Sequence, residues 1–122
     1  MNVLLVDDEE DIRNFVQAFL TDMFGNAQFD FAGHGGEGII RTMSKKYDLI
    51  ITDHKMPFKK GVDMVIEIKS SGQNPNRKTP VIVLSGFLDD EIRQFLKTHK
   101  VTFTDKPIDF EILTKEIKAL GL

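Results

Sequence analysis

The sequence predicts an α/β domain of the doubly wound type, with a parallel five-stranded sheet between two layers of helices. Three observations predict it. Five short apolar or β-rich runs recur along the chain, and five segments with helical spacing follow them in alternation. The first, third and fourth runs are apolar at nearly every position, as strands covered on both faces of a parallel sheet are. The length of 122 residues fits one domain, long enough to bury a core without disulfide staples.

The elements follow in order. Val3-Leu4-Leu5-Val6 is the first strand, and Ile12, Phe15, Val16, Phe19, Leu20 and Met23 give the first helix one wide apolar stripe. Gln28-Phe29-Asp30-Phe31 is more mixed and suits an edge strand; Ile39, Ile40 and Met43 give the second helix a shorter stripe. Gly36 and Gly38 weaken that helix, each costing about 1 kcal/mol against alanine. Leu49-Ile50-Ile51-Thr52 is a buried strand, followed by a helix with Val62, Val65, Ile66 and Ile68 inward. The polar tract from Ser70 to Lys78 reads as a surface loop. Val81-Ile82-Val83-Leu84 is the fourth strand, and Ile92, Phe95 and Leu96 mark the fourth helix. Val101-Thr102-Phe103-Thr104 is the second edge strand; Phe110, Leu113, Ile117 and Leu120 mark the last helix, ended near Gly121. Right-handed crossovers put helices on both faces of the sheet.

Composition narrows the function classes. Cysteine is absent, which excludes disulfide frameworks, thiol catalysis and cysteine-ligated metals. A net charge of −3 argues against non-specific nucleic-acid binding. No apolar run approaches the ~18 residues of a membrane-spanning helix, and the start Met1-Asn2-Val3 lacks the basic opening of a secretory signal. The expected location is the cytoplasm.

In an open α/β sheet, ligands bind beyond the carboxyl ends of the strands. Asp7 and Asp8 follow the first strand, Asp53 the third, Ser85 the fourth, and Lys106 with Pro107 the fifth. Three carboxylates, a hydroxyl and a lysine are thereby predicted to meet at one sheet edge. Hard oxygen ligands without His or Cys suit Mg²⁺ (or Mn²⁺), and the lysine and hydroxyl could hold the oxygens of a bound phosphoryl group. Each residue also has a purely structural explanation. The run Asp7-Asp8-Glu9-Glu10-Asp11 could cap a helix and complement its dipole. Asp53 and Ser85 could be turn residues, and Lys106 a solvated loop lysine. Convergence from four separate strand ends favours a site over four coincidences.

These residues carry a resemblance. Val6-Asp7-Asp8, Asp53-His54-Lys55-Met56-Pro57 with Gly61, Pro80-Val81-Ile82-Val83-Leu84-Ser85-Gly86, and Lys106-Pro107 together resemble the receiver (phosphoacceptor) domain of bacterial two-component response regulators. The likeness covers residues 1–122 as one receiver domain. It implies a flavodoxin-like (βα)5 three-layer sandwich with strand order 2-1-3-4-5. Asp53 is then the phosphoacceptor, taking a phosphoryl group from a sensor histidine kinase. Asp7, Asp8, Asp53 and the backbone carbonyl of Lys55 are the metal ligands, with Asp8 direct and Asp7 acting through water. Lys106 contacts the phosphate, the Lys106–Pro107 peptide is cis, and Ser85 and Phe103 form the switch that reshapes the face of the fourth helix, fifth strand and fifth helix.

The resemblance implies a phosphorylation-dependent signalling switch that is no enzyme beyond its own phosphoryl transfer and dephosphorylation. It would act through a downstream protein, with no direct nucleic-acid or membrane contact, as a monomer when unphosphorylated. Nothing after Leu122 could bind DNA or catalyse, so a stand-alone switch is expected. The alternatives are a phosphorelay intermediate serving a histidine phosphotransfer protein, and a receiver excised from a longer regulator. A Mg²⁺-dependent small-molecule phosphatase is a distant fourth, because Lys55, not a second Asp, stands two residues after Asp53. Two departures from the family pattern stand out. Lys59 and Lys60 join Lys55 in a basic patch, expected to be a solvated loop. Residues 94–100 lack the usual Ala-Gly pair, which leaves the fourth helix's length open. His34, His54 and His99 are expected on the surface.

Overall fold

A computed structural model describes residues Met1–Leu122. Five strands, β1 (Asn2–Val6), β2 (Gln28–Ala32), β3 (Leu49–Asp53), β4 (Val81–Ser85) and β5 (Thr102–Asp105), alternate with five helices. These are α1 (Glu10–Met23), α2 (Gly35–Ser44), α3 (Gly61–Ser70), α4 (Asp90–Thr98) and α5 (Phe110–Ala119). All strand pairs are parallel, in the order β2-β1-β3-β4-β5, as the resemblance implies. The central strands β3 and β4 are buried at every position, while β2 and β5 lie at the edges and stay partly open.

Alternation along the strands divides the core in two. Leu4, Val6, Ile50, Val81 and Val83 point to one face and pack under α2, α3 and α4, against Met64, Val65, Ile68 and Leu96. Val3, Leu5, Leu49, Ile51, Ile82 and Leu84 point to the other, against Val16 and Leu20 of α1 and Leu113 and Ile117 of α5. Each large aliphatic side chain removed from water contributes roughly 1.5–3 kcal/mol before the entropic cost of ordering it. The sheet is therefore stabilised from both faces, and its carboxyl edge is a rigid platform.

Several side chains depart from the sequence reading. Ile40 and Met43 of α2 face outward, 68% and 49% exposed, and Phe15 of α1 is 62% exposed. The buried face of α2 is made instead by Gly35, Gly38 and Thr42. Gly38 is used for close approach: a Cβ there would stand 2.5 Å from Met64 Sδ and 3.4 Å from a Val6 methyl. The glycines weaken α2 locally but let it lie tightly against α3 and β1.

The polar tract after α3 is a loop, yet two of its side chains and Thr79 just beyond it are buried. Asn74, Asn76 and Thr79 are at most 3% exposed. Asn76 Oδ1 accepts from Tyr47 N–H at 2.7 Å and Thr79 Oγ at 2.9 Å, and its Nδ2 donates to the Thr42 and Lys45 carbonyls, both at 2.7 Å. Asn74 accepts from the Asn76 N–H and donates to Thr42 Oγ. A fully satisfied buried network of this kind fixes a loop in one conformation. It ties the loop to the segment before β3, where the buried Tyr47 hydroxyl donates to Asp30 at 2.7 Å.

Candidate functional site

The carboxyl edge of the sheet brings together the residues that follow its strands. Asp7 and Asp53 are buried, and Asp8 beside them is exposed. One carboxylate oxygen from each of the three lies within 4.8 Å of the others. The Lys106 ammonium reaches in from the end of β5, 3.3 Å from Asp53 Oδ1 and 3.9 Å from Asp7 Oδ2. The Lys106–Pro107 peptide is cis, and the Lys106 N–H donates to the Ser85 carbonyl at 2.8 Å, which fastens the lysine to β4.

The backbone holds the acids in place. Asp53 Oδ1 accepts from the N–H of His54 at 2.8 Å, while Oδ2 receives no hydrogen bond from the protein. Asp7 Oδ1 accepts from the Glu9 N–H at 2.9 Å, and Arg13 donates to the Asp7 carbonyl at 2.7 Å. Burial pushes the Asp7 carboxyl up to about 6; the Glu9 N–H opposes this, Asp53 adds to it, and Lys106 opposes it. The pocket thus holds more negative charge than one ammonium offsets. A hard divalent cation fits that donor set, because it takes carboxylate oxygens and relieves their mutual repulsion.

Ser85 ends β4, 2% exposed. Its hydroxyl donates to the Phe87 carbonyl at 2.9 Å and accepts from the Phe87 N–H at 3.2 Å. It is thus engaged by its own loop, not by Asp53. Phe103 on β5 is half-buried against the core under α4. Arg93 covers it, with the guanidinium 5.4 Å from the ring centre. Arg93 also donates to the Leu88 carbonyl at 3.0 Å and pairs with Asp105 at 2.6 Å. It therefore links α4 to both β5 and the loop after β4. Sequence reasoning missed Arg93, since an arginine on an exposed helix face carries no local signal.

His54 corrects the sequence reading. It is 8% exposed, not a surface residue, because the chain turns inward after β3. Its Nδ1 accepts from the Val62 N–H at 3.3 Å at the start of α3, and burial, then Lys60, holds its pKa below the ordinary histidine value. His34 is half-buried and caps α2 by accepting from the Glu37 N–H; only His99 is exposed. In the basic patch, Lys55 and Lys60 are exposed, whereas Lys59 pairs with Glu67. The fourth helix is short, nine residues, and Lys100 follows it with φ of 57°.

Phe58 is a second surprise. It stands in the left-handed region at φ 66° and its ring is 93% exposed, in an edge-to-face arrangement with His34 at 5.2 Å between ring centres. A side chain in that region costs ~1–2 kcal/mol, partly offset in glycine by a more flexible unfolded chain. Phe58→Gly is therefore expected to raise stability, by up to about 1 kcal/mol in urea denaturation; a clear loss would show that the ring packs onto something.

Comparison with known proteins agrees with this geometry. The family model described as Response regulator receiver domain matches residues 3–118. Response regulator RR06 of Streptococcus pneumoniae is 34% identical over 121 residues, which is 98% of this chain and 52% of that protein. The chain spans about half the length of the first curated relatives it matches. The structure of the chemotaxis response regulator CheY4 of Vibrio cholerae superposes with a TM-score of 0.81 at 28% identity, covering 98% of this chain and 97% of that one. The response regulator TrrA of Thermotoga maritima, solved in complex with Mg²⁺-BeF, gives a TM-score of 0.80 at 27% identity, with coverage of 98% and 97%.

Proposed function

The chain belongs to the response regulator receiver domain family, and on that premise we propose that it is a phosphorylation switch whose phosphoacceptor is Asp53. The observation that carries this reading is the convergence of Asp7, Asp8, Asp53 and Lys106 on one pocket. The phosphodonor is a phosphohistidine on a sensor kinase. The Asp53 carboxylate attacks the phosphorus, the P–N bond breaks, and the imidazole keeps the electron pair. The product is an acyl phosphate on Asp53.

A carboxylate is a weak nucleophile, so catalysis here is positioning and charge compensation. The His54 N–H orients Asp53 and leaves Oδ2 free of protein donors. The Lys106 ammonium sits where it can pair with a phosphoryl oxygen. Asp7, Asp8, Asp53 and the Lys55 carbonyl would hold a Mg²⁺ ion, which would supply the remaining positive charge for the phosphoryl oxygens. The chain turns over no other substrate on this reading.

The output starts at Ser85. A phosphoryl oxygen is a stronger acceptor than the Phe87 carbonyl, because it is charged. The Ser85 hydroxyl exchanges one for the other, which frees Phe87 and the loop before α4. Phe103 turns inward beneath Arg93, and the α4–β5–α5 face presents a different surface to a downstream protein.

Titrating beryllofluoride and Mg²⁺ while following amide resonances tests this. The expected result is saturable shifts at Ser85, Phe87, Leu88 and along β5 that require both additions. Shifts confined to Asp7, Asp8 and Asp53 would contradict the switch while leaving the pocket intact.

A further inference from the structure

The opposite pole of the sheet carries a second charged feature, independent of the phosphoacceptor pocket. The rigid loop after α3 and the segment before β3 enclose a cleft of about 350 Å³. Lys46, Arg77 and Lys78 line it, together with Gly72, Gln73, Asn74 and Pro75, and no aromatic ring contributes. No carboxylate pairs with any of the three cations; the ion pairs of this protein use Arg41, Lys45, Lys59, Arg93 and Lys106. The N–H groups of Gly72, Gln73 and Lys78 donate to no acceptor in the protein. Lys46 is oriented by a 2.9 Å bond from its ammonium to Thr79 Oγ, itself part of the buried asparagine network.

Arg41 and Lys69, in the last turns of α2 and α3, answer the carbonyl ends of those helices. Lys46, Arg77 and Lys78 lie beyond those last turns. Three cations without a carboxylate partner and three amides without a protein acceptor, all on residues that line one polar cleft, are an excess in a chain whose net charge is −3. Cations and backbone N–H groups together form the usual recognition set for phosphate oxygens. Three cations match the charge of a di- or triphosphate better than that of a single phosphate, and no aromatic ring offers a nucleobase a stacking platform.

We propose that this cleft binds linear phosphate chains, inorganic di- or triphosphate or the phosphate tail of a nucleotide, through Lys46, Arg77 and Lys78. The test uses the full chain carrying Asp53→Asn, without Mg²⁺, so that the phosphoacceptor pocket does not compete. Sodium tripolyphosphate, ATP, sulfate and a glutamate-rich peptide are titrated separately at constant ionic strength, following amide resonances. Tripolyphosphate is expected to shift Gly72, Gln73 and Lys78 to saturation, with ATP binding equally well. The variant Arg77→Gln, Lys78→Gln, which spares the Lys46–Thr79 bond, should lose at least about tenfold in affinity with an unchanged unfolding midpoint. The proposal is overturned by shifts that do not saturate, that sulfate matches, that centre on Asp7 and Lys106, or that only the glutamate-rich peptide produces. ATP binding far more tightly than tripolyphosphate would equally overturn it, since a base site would then exist.

Discussion

Gly61→Ala is expected to destabilise the fold by about 3 kcal/mol or more, as overpacking against rigid backbone does. The Cβ would stand 1.9 Å from the Asp53 carbonyl oxygen, 2.9 Å from its carbon and 3.0 Å from Thr52 Oγ. Two of those three atoms are backbone, so no rotamer change relieves the clash. The same carbonyl accepts from Thr52 Oγ at 2.8 Å, and the Gly61 N–H donates to the His54 carbonyl at 2.9 Å. Making room means lifting the start of α3, which is tied to His54, or twisting the end of β3, which carries Asp53. Urea denaturation measures the stability loss. Any fraction that still folds should be phosphorylated more slowly than the parent, because Asp53 is no longer aligned with Lys106. A variant with unchanged stability and unchanged rate would mean that the glycine contact is not tight.

Asp7→Asn is expected to act in the opposite direction on stability and to remove the response to Mg²⁺. The ordinary aspartate value of 3.8 is raised to about 6 in the folded protein, chiefly by burial. Folding therefore takes up protons between those two values, and stability falls as pH rises from about 4 to 6. Above that window the full penalty is present, so the amide variant should be more stable at pH 7 by about 1–3 kcal/mol. Asparagine keeps an oxygen for the Glu9 N–H, and Lys106 keeps Asp53. Below pH 4 the two proteins should converge. Millimolar Mg²⁺ should raise the melting temperature of the parent by mass action and leave the variant unmoved. A variant less stable than the parent at pH 7 would contradict the account of the pocket as a site of unrelieved repulsion.

Periodicity and apolar density were enough to read the five-strand, five-helix alternation and the burial of β3 and β4, because a strand covered on both faces has no room for polar residues. Strand order came from resemblance, since local pattern carries no pairing information. The inward faces of helices were less legible. Ile40 and Met43 keep helical spacing yet point outward, because α2 packs through glycines whose close approach leaves no hydropathy signal. His54 was misread for a similar reason: a histidine after an aspartate looks the same whether its ring faces water or accepts a backbone N–H. Asn74, Asn76 and Thr79 sit in a tract with loop composition, and short polar side chains read alike in a solvated turn and in a buried network. The site residues sit together because each follows a strand, and parallel strands end at one edge. Ser85 facing its own loop instead of Asp53 follows from side-chain geometry alone and is visible only in three dimensions.

The central claim is that Asp53 becomes phosphorylated in this pocket, and incubation with acetyl phosphate and Mg²⁺ followed by intact mass measures it most directly. A small phosphodonor needs no partner protein, so the result depends only on the chain's own residues. One added phosphoryl group is expected, absent when a chelator is present from the start and absent from Asp53→Asn. No added mass, or the same added mass in Asp53→Asn, would contradict it.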